Sequence, residues 1–206
     1  MRHGWLCAVL LVLPAVTGHA ESAVSPALIN RQPLTIVLDF RGPYASQSVE
    51  AMEREVESIL RLSGRTLEWR SWEEATRTTF EELTVVRFDG NCGVPPWPHS
   101  SAVEGPLGLT YISDGEILPF SQISCGQIAN SVGPAILKME PPQAEVVFGR
   151  AMGRVVAHEL VHMISRSTAH GHEGVAQPAF SESQLTGERL DLSTRDLLRV
   201  FGKERR

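Results

Sequence analysis

From Gln143 to about Ser165 the chain runs without proline and stays apolar around most of a helical circumference, directly behind Pro141-Pro142. Such a pattern predicts a long, largely buried helix, so the remaining elements must be folded around it. Gly149 and Gly153 fall inside it, and each weakens a helix by about 1 kcal/mol relative to alanine, which predicts close packing against a neighbour. The same stretch carries His158, Glu159 and His162. Three such side chains are costly to bury unless a metal or hydrogen-bonding partners satisfy them.

Their spacing is the chemical signal. On a helix His158 and His162 lie one turn apart on one face, with about 6 Å of rise between them. Two imidazole nitrogens so placed can reach one zinc ion about 2.1 Å away. Glu159, beside the first histidine, can act on water at the metal without ligating it, as a general base. Zinc lowers the pKa of its bound water towards about 7 and polarises a scissile carbonyl. Imidazole ligands keep the ion Lewis-acidic, and three protein ligands leave a position for water, so a third ligand is required. His170, reached after the helix ends, is the first choice and His172 the second, with a carboxylate such as Glu182 as the remaining alternative, although no clear second helix carries it. Gly171 and Gly174 permit the chain to turn back sharply beneath the metal. The plain alternative is that these histidines are surface or satisfied core residues with no ion.

The chain before the long helix supplies the other elements. Leu34 to Phe40 is β-branched and apolar on both parities, as in a strand buried on both faces, and Arg41-Gly42-Pro43 stops it. Ser46 to Leu62 has Val49, Met52, Val56, Ile59 and Leu60 at helical spacing, with Gly64 as a stop. Leu67 to Trp72 and Leu83 to Phe88 read as strands, and Leu107 to Ile112 and Glu116 to Ile123 flank Ser113-Asp114-Gly115 as a hairpin. Asn91 to Pro106, with Trp97, has no periodicity and reads as a long loop. Beyond the long helix, His170 to Phe180 is irregular, and Leu190 to Phe201 reads as a short extended piece and a final helix capped by Ser193.

The amino terminus has a different character. Met1-Arg2-His3 is a short basic start, Trp5 to Val16 is apolar but too short to span a bilayer, and Gly18-His19-Ala20 has small residues where a signal peptidase cuts. Residues 1–20 are therefore expected to be a signal peptide, residues 21–33 a loose lead-in, and residues 34–206 a single domain. A secreted, periplasmic or otherwise extracytoplasmic location follows, with no stable membrane insertion after cleavage. Taking Arg2 from the 19 basic side chains leaves 18 against 24 acidic ones, and this acidic chain has no basic footprint for nucleic acid. Cys92 and Cys125 remain as an even pair in an oxidising compartment, which predicts a disulfide between them worth on the order of 3 kcal/mol.

His158-Glu159-Leu160-Val161-His162, with His170 and Gly174 beyond, resembles the motif region of the metzincin-like zinc metallopeptidases. The resemblance implies an α+β, zincin/metzincin-like fold: a mixed twisted sheet of about five strands, a long active-site helix and a C-terminal helix. It also implies a secreted zinc-dependent peptidase that hydrolyses peptide bonds in proteins or peptides with a zinc-activated water. His158, His162 and His170 would then be the metal ligands, and Glu159 the catalytic base. Two features depart from the family pattern H-E-x-x-H-x-x-G-x-x-H. Ser165 stands where its glycine would be, and His170 lies two residues farther on than its third histidine. Gly174-Val175-Ala176-Gln177-Pro178 takes the place of the family's methionine turn without a methionine, so the apolar base under the metal falls to Val175 or Ala176. By the same resemblance, Leu107 to Ile112 is the edge strand that pairs with an extended substrate. The competing function is a secreted, non-catalytic protein in which zinc is a structural staple held by four protein ligands. An intact Glu159 favours catalysis, because a purely structural site needs no base there.

Overall fold

The computed structural model describes residues 33–94 and 105–201. The expected signal peptide, nearly all of the expected lead-in, and the middle of the Cys92 loop with Trp97 lie outside the described residues. One five-stranded sheet organises the chain, in the order β2-β1-β3-β5-β4. Strands β1 (Leu34–Phe40), β2 (Leu67–Ser71), β3 (Leu83–Asp89) and β5 (Glu116–Ser124) run parallel, whereas β4 (Gly108–Ser113) pairs antiparallel with β5 and forms an edge. The fold is α+β, with a mixed five-stranded sheet as the sequence implies. The continuous apolar run of β1 suits its place between β2 and β3, where every residue from Leu34 to Leu38 is buried.

The hairpin from β4 to β5 turns at Asp114 and Gly115, both with positive φ (51° and 81°), the signature of a type I′ turn. An irregularity follows: Thr110 pairs with Ser121, but Ile112 pairs with Ile117, so β5 holds extra residues at Leu118-Pro119-Phe120. Pro119 has no N–H for the ladder, which is why the bulge falls there.

Helices α1 (Ser46–Leu60) and α4 (Pro141–Ser165) share the core with one face of the sheet, through Leu34, Ile36, Leu38, Met52, Val56, Val86, Phe88 and Ile123. The two glycines mark where these helices meet. A Cβ on Gly149 would run into the Ser48 carbonyl oxygen, and one on Gly153 would sit 2.8 Å from the Met52 oxygen. The side chain of Ser48 hydrogen-bonds to the Glu145 carboxylate across the same junction. Farther along, α4 buries Arg154 completely, which donates to Glu55 at 2.7 Å and to the carbonyls of Gln184 and Gly187 at 2.6 and 2.8 Å.

Several elements differ from the expectation. Pro141 and Pro142 do not precede the long helix but form its first turn, where their missing N–H groups cost nothing. Trp72 is not the end of β2; with Ser71 as N-cap it opens a short helix, α2 (Trp72–Ala75). Helix α3 (Cys125–Ile136) directly follows β5 and is capped by Ser124, and a short α5 (Glu182–Thr186) carries Glu182. Helix α6 (Thr194–Phe201) closes the described chain, and the Ser193 hydroxyl accepts from the Asp196 N–H at 3.1 Å, the expected cap. Cys92 and Cys125 are joined, tying the segment after β3 to the start of α3. Both are fully buried, and the bridge contributes on the order of 3 kcal/mol by restricting the unfolded chain. Among the described residues, no helix is long and apolar enough to cross a membrane.

Candidate metal centre

The last turns of α4 deliver His158, Glu159 and His162 to one face, all three buried. The helix then stops at Arg166, whose left-handed conformation (φ 47°) turns the chain away. Ser167 to Ala169 bring the chain back over the helix end, so that one ring nitrogen from each of His158, His162 and His170 lies within 4.8 Å of the others. His170 is exposed, its ring 5.2 Å from that of His158 and 4.8 Å from that of His162. His172 and Glu182 are both exposed and do not join the group.

Hydrogen bonds settle the tautomers of the two buried histidines. His158 Nδ1 lies 2.8 Å from the Val175 carbonyl oxygen, and His162 Nδ1 lies 2.7 Å from that of Ser167. A carbonyl only accepts, so both Nδ1 atoms carry the proton and both Nε2 atoms turn inward. Those two Nε2 atoms are 3.0 Å apart. Two nitrogens at that distance call for a proton or a metal ion between them. Burial, reinforced by the neighbouring histidines against the bond to Val175, pulls the His158 pKa down to about 4, so this ring is a poor resting place for a proton. The donor set, three imidazoles within reach of one point, is one that suits zinc.

Glu159 faces a different neighbour. Burial raises its pKa, opposed by the Thr110 hydroxyl, which donates to its Oε2 at 2.5 Å. Gly108, on the same edge strand, makes room for the carboxylate: a Cβ there would sit 2.6 Å from Oε1. A cleft of about 250 Å³ opens here, lined by Gly108, Thr110 and Ile112 of β4 together with Glu159 and the three histidines. Val175 and Ala176 are buried in a single turn of 3-10 helix, Gly174–Ala176, whose Val175 carbonyl meets the His158 ring. Gly174 has φ +64°, and a side chain there would strike the Asp191 carbonyl oxygen.

Sequence reasoning missed Thr110 and Gly108. They lie far from Glu159 along the chain, and nothing local distinguishes them from ordinary strand residues. It also missed Asp196 and Arg199 on α6. The Arg199 guanidinium donates to the carbonyls of Ala169 (3.1 Å) and His170 (3.4 Å) and pairs with the buried Asp196 carboxylate at 3.0 Å.

The sequence matches no protein-family description, and no curated protein is similar to it. The fold is similar to the crystal structure of archaemetzincin from Methanopyrus kandleri, with a TM-score of 0.50 and 12% identity, covering 89% of this chain and 99% of that one.

Proposed function

We propose that the protein is an exported zinc-dependent peptidase that cleaves peptide bonds in protein or peptide substrates. The observation that carries this reading is the pair of inward-facing Nε2 atoms 3.0 Å apart, with His170 close enough to complete a three-imidazole set. His158, His162 and His170 would hold the ion. A zinc ion so held supplies Lewis acidity and an acidified water.

The chain's own residues prepare the rest. Val175 and Ser167 fix the two buried rings with their nitrogens inward, an orienting role that outer partners of metal ligands typically fill. Glu159 is buried beside these nitrogens in the same cleft, and burial makes its carboxylate a stronger proton acceptor than an exposed one. Thr110 pins one oxygen of that carboxylate, which leaves Oε1 to take a proton from attacking water and return it to the leaving amine. The outer edge of β4 borders the cleft and is unpaired by any strand among the described residues, which suits an extended peptide added alongside it. Export is supported by the leader-like amino terminus and by the buried disulfide.

The alternative, a structural zinc staple, needs a fourth protein ligand. His172 and Glu182 stand away from the cluster, and a buried Glu159 beside it favours catalysis. The test is zinc content and casein cleavage in purified protein, with and without chelator, and in Glu159→Gln. Zinc retained with cleavage lowered by about 10²- to 10⁴-fold is the expected result. Cleavage unchanged by the substitution or by chelation would exclude the reading.

A further inference from the structure

The three histidines are not held alike. His158 and His162 each donate a ring N–H to a backbone carbonyl, but the His170 ring has no hydrogen-bond partner among the described residues. It is also exposed, on a segment with no helical or strand hydrogen bonding of its own. Apart from the packing of the ring against His158 and His162, the polar contacts that place its imidazole act on the backbone of the loop.

Two residues of α6 grip that backbone. Arg199 reaches back to the carbonyls of Ala169 and His170 through one guanidinium nitrogen, while another nitrogen meets the Asp196 carboxylate at 3.0 Å. Asp196 is in turn fixed from its other oxygen by the Ser193 hydroxyl at 2.7 Å. The carboxylate also sets how closely the loop can approach: a Cβ on Gly171 would lie 2.5 Å from its Oδ2, so the glycine directly after His170 seats the loop against it. The far side of this turn is closed by the Gly171 N–H, which donates to the Ala176 carbonyl at 2.7 Å.

From this geometry we infer that Asp196 and Arg199 are positioning residues for the metal: a clamp on α6 that presents His170 to the ion and replaces the missing hydrogen bond on its ring. The clamp supplies, from the carboxyl-terminal helix, the order that a longer loop between the second and third histidines lacks. A guanidinium is suited to the task because its planar fork can hold carbonyls on one side and a carboxylate on the other.

The inference rests on His170 being a metal ligand, and the experiment separates the two. Zinc affinity is measured by chelator competition in the intact protein, in Arg199→Ala, in His170→Ala and in the double variant, with melting temperatures of the zinc-free forms. Arg199→Ala is expected to weaken zinc by about 10- to 100-fold, and to weaken it no further once His170 is gone. Arg199→Met, which keeps the packing of the stem but not the donors, should show the same loss and covers failure of the alanine variant to fold. A normal affinity in Arg199→Ala beside a weakened His170→Ala would overturn the clamp and leave the ligand. An equal loss in both backgrounds would overturn it too, since the effect would then be general. Normal affinity in His170→Ala would overturn the ligand and the clamp together.

Discussion

The two halves of the proposed centre are built by different means. His158, Glu159 and His162 sit on a helix whose neighbours are core residues, and each is buried and hydrogen-bonded in place. His170 sits on an exposed turn, fixed at a distance by α6. The helical half gets its geometry from the 3.6-residue repeat, which the packing of α4 against α1 and the sheet cannot easily distort. The loop half gets its geometry from a few polar contacts, each worth about 1 kcal/mol. One half is therefore expected to stay organised without metal, and the other to depend on it.

Substituting the ligands probes the contrast most strongly. His162→Ala and His170→Ala should each weaken zinc by roughly 10²- to 10³-fold, about 3–4 kcal/mol for one ligand's share. Amide hydrogen exchange on the zinc-free protein then separates the halves: the end of α4 should remain protected and the exposed residues 168–170 should not. Equal protection of both would break the comparison.

Next in size is a pH effect centred on His158; His170 shifts in the same direction, and Glu159, whose pKa burial raises, opposes it. In zinc-free protein His158 has its pKa lowered from 6.5 to about 4, chiefly by burial. The unfolded chain takes up its proton near 6.5, so stability from this group is intact above that pH and is lost as pH falls towards about 4. The loss is on the order of 3 kcal/mol. Denaturant midpoints between neutral pH and about pH 4 should fall accordingly, and His158→Gln should flatten the slope.

Gly149→Ala tests the foundation of the helical half. Although alanine favours a helix by about 1 kcal/mol, its methyl must push α4 away from Ser48, and a net loss of about 1–3 kcal/mol in thermal or urea stability is expected. The smallest effect concerns Glu159, the proposed base. Thr110→Val should lower kcat about 10-fold at unchanged zinc affinity, and Thr110→Ser should restore most of it. An unchanged kcat in the valine variant would deprive Thr110 of its role.

The same contrast explains what could be read from the sequence. The long helix, its H-E-x-x-H face and the two packing glycines were legible because helical periodicity places residues on a face without knowledge of the fold. Strands β1 and β3, the Asp114-Gly115 turn and the Cys92–Cys125 bridge were legible for similar local reasons. Helix α3 was missed because Gly126, Gly133 and Pro134 break a pattern otherwise carried by Ile128, Ala129, Val132 and Ile136; tertiary burial of those four residues overrides the weak local propensity. Thr110, Gly108, Asp196 and Arg199 acquire meaning only when the sheet edge and α6 are brought against α4. No spacing rule reaches that far.

The central claim is that three histidines, two from the helix and one from the clamped loop, surround one zinc ion and leave room for water. Zinc K-edge X-ray absorption on the purified protein measures that directly. One zinc per chain is expected, with nitrogen or oxygen ligands at about 2.0–2.1 Å and scattering from three imidazoles, falling to two in His170→Ala. Absence of bound zinc, or a fourth imidazole closing the site, would contradict it.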